Sequence, residues 1–409
     1  MRNLTFEQKD EFKDIIETLG ESLDITQTQY DNLTKSYKAV GEYLENDSIL
    51  STYQPMITPQ GSLRLGTIIQ PINPQDDLDV DLVFRLQEKP VYWTQKNLKD
   101  QVGARIKSNG RYSTMLKEKE GGRRCWTLLY RDNAENPKER YHMDILPAVA
   151  DKEYGSIMTK LFAEGYSDRT VDQISIRITD KEAENYSIST NIINWLKSNP
   201  DGYALWFASR CRTTNQTKLL AEAVVPFDRY TKDKTVLQRI VQILKRHRDM
   251  MFKNDKDDKP ISIIITTLAA KAYNGEQNIV DGLLNVAANI KRGISVGKNG
   301  EDWIENPVNV EENFADKWPS HPRRRENFYK WVTALQRDLE DIINGQNRTE
   351  IFDSISQTFG QDASSRAAEL LSERRKTNLT RGTALLSSLG VVGASGKSLN
   401  TTNTFYGKE

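Results

Sequence analysis

Asp79 and Asp81, in the run "DVDLVF", stand two residues apart where a polar loop gives way to apolar sequence. Alternate side chains of a strand share a face, so the two carboxylates would lie side by side. Anions held that close are stabilised by a divalent cation, and oxygen donors of this kind suit Mg2+ or Mn2+. Asp144, in "YHMDILPAV", occupies the same place in a second such run, with polar sequence before it and apolar sequence after it. If the two strands are neighbours, three carboxylates converge as a two-metal phosphoryl-transfer site requires. Upstream, "QGSLRLG" places Gln60, Gly61 and Ser62 in a turn whose small residue, amides and hydroxyl suit a phosphate. Taken alone, "DVD" is more often a solvated acidic loop than a metal site. The apolar strand after it and the Gly-Ser before it favour the metal reading. Asp76 and Asp77 crowd the same stretch and read as loop residues solvated by water.

These residues need elements to hold them. From Thr26 to about Glu45, Tyr30, Leu33, Tyr37, Val40 and Leu44 recur at steps of three and four, which predicts an amphipathic helix ahead of the Gly-Ser turn. After Gly66 the runs "DVDLVFRL", "RRCWTLLYRD" and "RYHMDILPAV" predict strands of a mixed sheet. Beyond about residue 185 the pattern turns helical, in "NIINWLKS", "TVLQRIVQILKRHRDMMF", "ISIIITTLAAKAY", "NIVDGLLNVAANIKRG" and "RRENFYKWVTALQRDLEDIING". "KNDKDDK" and "NPVNVEENFADKWPSHPRRR" read as exposed connections. The expected class is α+β, with N-terminal helices over 1–50, a sheet-bearing core over 51–185, a helical lobe over 186–379 and a flexible tail over 380–409. In that tail "GASGKS" has valine at position 391 where a phosphate-binding P-loop needs glycine, and no helix-forming sequence follows.

Composition narrows the partners. The chain's 409 residues carry 57 basic and 57 acidic side chains, so no global field draws it to nucleic acid or an anionic membrane. Cys125 and Cys211 form no disulfide framework, and His142, His247 and His321 are scattered without zinc-ligand spacing. The single histidines read as packing or surface residues. No apolar run approaches the roughly 20 residues that span a bilayer, and the polar start does not read as a secretory signal. A soluble cytoplasmic protein is expected.

Gly61-Ser62, then "DVDLVF", then "HMDILPAV" together resemble the nucleotidyltransferase superfamily of DNA polymerase beta. More narrowly, the wording is similar to the branch of oligoadenylate synthases, animal cyclic GMP-AMP synthase and the bacterial cGAS/DncV-like nucleotidyltransferases of antiphage signalling. The resemblance covers roughly residues 20 to 340 and implies a bilobed fold with a cleft active site. It implies that Asp79, Asp81 and Asp144 hold two Mg2+ or Mn2+ ions, and that Asp144 assists removal of the acceptor hydroxyl's proton. By family position, Lys245 in "VQILKRHRDMMF" and Ser262 in "KPISIIITTL" would contact the triphosphate along with Gln60, Gly61 and Ser62. From pattern alone, Lys245 reads as a solvated helix face and Ser262 as a helix N-cap.

The implied activity joins ATP, GTP or other ribonucleoside triphosphates into a cyclic di- or oligonucleotide second messenger for antiphage defence, releasing pyrophosphate, with the downstream effector binding the product. The alternatives are transfer to a linear oligoadenylate, an RNA end or a protein hydroxyl, and a nucleotide-binding module without catalysis. The chain lacks the zinc insertion and the basic charge of the animal sensor, so activation by DNA is not expected. Some bacterial relatives are conjugated through a C-terminal glycine by a ubiquitin-transfer-like partner, and Gly407 stands two residues short of the end here.

Overall fold

The computed structural model describes residues 6–73, 76–131, 140–151, 175–211 and 233–380, with three two-residue strands between 385 and 398. Gly407, noted in the sequence, lies outside the described residues. The chain forms two compact units, one of residues 1–24, 235–302 and 315–409, the other of residues 25–234 and 303–314. The division therefore differs from the one read along the sequence. Helix α1 (Phe6–Ser22) belongs to the first unit and α2 (Gln27–Glu45) to the second, and residues 186–234 belong with the sheet.

In the sheet unit, α2 starts where Thr26 and Gln29 exchange hydrogen bonds in a capping box, and its predicted stripe of Tyr30, Leu33, Tyr37, Val40 and Leu44 is buried. Strand β1 (Met56–Pro59) runs into a single helical turn, α3 (Gly61–Arg64), and then comes β2 (Leu78–Leu86). Helices α4 (Gln95–Lys107) and α5 (Gly110–Met115) lead to β3 (Trp126–Tyr130), β4 (Tyr141–Ala150), β5 (Ile176–Ile178), β6 (Leu196–Ser198) and α6 (Pro200–Arg210).

The strands form one mixed sheet in the order β1-β2-β4-β5-β6, with β3 on β4. Among the described strands, only β2 and β4 run parallel. They are the central pair, and their C-terminal halves are unbroken buried runs, as strands covered on both faces must be. Their N-terminal halves alternate instead. Leu78, Val80, Tyr141 and Met143 point into the core, while Asp79, Asp81, His142 and Asp144 occupy the opposite, open face. "NIINWLKS" is not a helix. It makes a short turn and the strand β6, because a brief apolar run rich in isoleucine carries no periodicity that separates the two states.

The helical unit is built on α7 (Val236–Met251), with α8 (Ser262–Ala272), α9 (Ile279–Asn289), α10 (Pro322–Asn344), α11 (Arg348–Phe359) and α12 (Gln361–Thr380). Leu237, Ile240, Val241, Ile243 and Leu244 of α7 are fully buried. So are several of its charged groups, each with a partner. Arg239 reaches Asp24 at 2.8 Å, and His247 Nε2 lies 3.0 Å from Asp338. The segment 306–325, read as an exposed connection, includes the hairpin strand Asn309–Asn313. In the tail, Leu385–Leu386 pairs with both Val392–Gly393 and Lys397–Ser398. "GASGKS" therefore ends in a strand, where a P-loop would begin a helix.

Candidate active site

The register of three strands sets the site. Asp81 lies opposite Asp144 and Asp79 opposite His142 across β2 and β4, and Thr127 of β3 faces Asp144 from the other side. Side chains directly across a ladder share a face, so these five groups make one polar patch on an otherwise apolar sheet. Beneath it, Val80, Leu128 and Met143 are at most 1% exposed, which makes the strands a rigid support.

The Gly-Ser turn comes up against this patch. Gly61 has φ +60, and a Cβ built there would sit 2.6 Å from Asp81 Oδ2. Only glycine lets the backbone approach the carboxylate so closely. The Gln60 amide donates to the Asp81 carbonyl at 2.8 Å, so the role the structure gives Gln60 runs through its backbone. The turn is closed by the Thr67 amide on the Ser62 carbonyl and by Lys234 on the Gly66 carbonyl. Arg64 anchors it from below, reaching the buried Asp201 at 2.6 Å, and Arg85 of β2 meets the same carboxylate at 3.5 Å. The first amides of so short a helix have no partner within the helix itself.

Asp77 and His142 depart from their sequence readings. Asp77 is not a solvated loop acid. Its carboxylate meets His142 Nε2 at 2.7 Å and Arg140 at 3.3 Å, and its side chain is 19% exposed. His142 Nδ1 in turn lies 3.7 Å from Asp79, whose side chain is 82% exposed. His142 thus bridges two acids at the site. Asp76 stays in the loop, bonded to Asn73. His247, by contrast, packs edge-on against Trp331 and Phe359, as a core histidine does.

Among the described residues, no three His, Cys, Asp or Glu side chains close into a ready metal cage. The donor set nevertheless fits a hard divalent cation in kind, because Asp81 and Asp144 are register partners and Asp79 follows on the same face. The side chain of Asp79 is exposed and lies beside His142. Cys125, which no sequence signal marked, lies close by. Burial, then the charges of Asp144 and Asp81, push its thiol up to about 12, so it is an inert neighbour. The loop before β3 is tied down by the fully buried Lys99, which donates to the carbonyls of Gly122, Arg123 and Cys125. It is also held by Asp180, paired with Arg123 and Arg124.

Lys245 and Ser262 lie in the helical unit and share one cluster there. Lys245 is 6% exposed, so it is not a solvated face. Ser262 opens α8 but does not cap it; its Oγ accepts from Arg248 at 2.9 Å. Arg248 also pairs with Asp249, as does Lys259. Burial raises the Asp249 carboxyl, but Arg248 and Lys259 outweigh that and hold it below its usual range. Arg248 stands one turn after Lys245, and no sequence signal marked it.

Residues 9–159 match the domain described as Second Messenger Oligonucleotide or Dinucleotide Synthetase, SMODS. A c-di-GMP synthase of Roseivirga ehrenbergii is 27% identical across 99% of both chains. The cyclic dinucleotide synthase CdnG of Bradyrhizobium diazoefficiens is 22% identical over 83% of this chain and 78% of its own. The GTP-bound structure of that CD-NTase superposes with a TM-score of 0.63 at 18% identity, covering 89% of this chain and 100% of its own. The chain is thus similar to the bacterial CD-NTases over its SMODS-like region and along its length, and its fold is the polymerase-beta-like α+β fold of those neighbours.

Proposed function

We propose that the protein joins ribonucleoside triphosphates, GTP, ATP or both, into a cyclic di- or oligonucleotide and releases pyrophosphate, as a second messenger of antiphage signalling. The observation that carries this reading is the contact of the phosphate-type turn with the carboxylate face, where Gly61 abuts Asp81 and Asp81 stands in register with Asp144. The relatives named as c-di-GMP and cyclic dinucleotide synthases support the cyclic product, and GTP bound to a neighbour supports a guanine substrate. Mg2+ or Mn2+, when bound, supplies charge neutralisation on the phosphates and acidifies the attacking hydroxyl.

The chain's residues divide the remaining work. Asp79, Asp81 and Asp144 would hold the two cations, and Asp144 would also receive the proton of the acceptor hydroxyl. Gly61 and Ser62 position the donor's phosphates through amides and a hydroxyl, and Lys245 and Ser262 keep the phosphate-contact role that the resemblance assigns them. Mass analysis of products after incubating the protein with Mg2+ or Mn2+ and the four ribonucleoside triphosphates tests the proposal. A cyclic product that disappears in D81N and D144N supports it. Only linear products, or cyclic product from both variants, would overturn it.

A further inference from the structure

We propose that Thr127 is a positioning residue that decides which oxygen of Asp144 faces the reaction, an inference that rests on the role given to Asp144 above. Thr127 stands directly opposite Asp144 in the antiparallel pair of β3 and β4, and its Oγ1 donates to Asp144 Oδ1 at 2.5 Å. An ionised carboxylate only accepts, so the hydroxyl is the donor.

The hydroxyl is held still by the strand that carries it. Its neighbours Trp126 and Leu128 are 3% and 0% exposed, and the Thr127 carbonyl accepts the Lys117 amide at 3.0 Å. A β-branched side chain has a stiff first torsion, so a fixed backbone fixes the hydroxyl. The carboxylate of an aspartate has no such constraint, because its terminal torsion is broad and two-fold. The bond from Thr127 therefore chooses its orientation. Oδ1 is engaged, and Oδ2 is left to face cation and substrate. Gly61 does the corresponding service for Asp81 by close approach of the backbone, and His142 lies beside Asp79. Thr127 is thus the group that orients the third acid.

Thr127→Val keeps the branched shape and removes the donor, whereas Thr127→Ser keeps the donor on a looser side chain. With GTP as substrate, T127V is expected to lose about 10–100-fold in kcat, the range for a partner that orients a metal ligand, with KM little changed. Mn2+ binding without nucleotide, followed by electron paramagnetic resonance, should weaken in T127V and recover in T127S together with kcat. Wild-type turnover and Mn2+ affinity in T127V beside an inactive D144N would overturn the inference, as would T127S falling as far as T127V. Full activity of D144N would instead overturn the role of Asp144 itself.

Discussion

Replacing Gly61 by alanine tests the close approach of backbone to carboxylate. The new Cβ would lie 2.6 Å from Asp81 Oδ2, 3.4 Å from its Cγ and 3.6 Å from its Cβ. Ordinary contact begins at 3.4 Å, so the carboxylate oxygen or the turn must retreat by about 0.8 Å, on a strand whose core side is packed without room to yield. The left-handed φ of +60 adds a backbone cost of about 1–2 kcal/mol for any residue with a Cβ. Misplacing a catalytic group by roughly 1 Å costs on the order of 100-fold in rate. G61A should therefore lose about that much kcat in a pyrophosphate-release assay, with a modest fall in thermal midpoint. Gly275 provides the control. It also has a positive φ, +86, but nothing lies within 4 Å of its would-be Cβ. G275A should show the strain without the loss of rate. Equal turnover in G61A and G275A, at matched loss of stability, would refute the reasoning.

Two more predictions concern the frame of the sheet unit. Asp201 neutralises both Arg64 and Arg85 in a buried setting, so D201N should destabilise the unit by about 3–5 kcal/mol and lower turnover by loosening α3, as read by chemical unfolding and initial rates. Lys99 is fully buried, and burial, followed by the charge of Lys181, lowers its ammonium from 10.5 to about 8. The folded chain thus gives up this proton before the unfolded chain does. Between pH 8 and 10.5 the unfolded state holds more protons, so stability contributed by this site rises with pH across that window and is lowest below it. The stability of wild type minus that of K99M should rise over the same window. A difference that is flat or falling with pH would contradict it.

The candidate acids were legible because chemistry and position coincide in them: Asp79, Asp81 and Asp144 each interrupt the polar edge of a run that must be buried. The stripe of α2 was legible from its spacing, and Gly61 from its place before the acids. "NIINWLKS" was misread because a short apolar run satisfies helix and strand alike until a neighbouring strand claims it. Asp77 was misread because its partners, Arg140 and His142, lie more than sixty residues away, in β4 and just before it.

The sequence by itself determined which residue types could bear the chemistry and which face of each strand they would take, since both follow from local alternation. Tertiary structure alone decided how those residues are held. Thr127 meets Asp144 across 17 residues, Arg85 meets Asp201 across 116, and Arg248 meets Ser262 across 14. Such pairs leave no local pattern, because a hydrogen bond constrains only distance and direction in space. The register of three strands and the closeness of a glycine to one carboxylate turn scattered acids into a site.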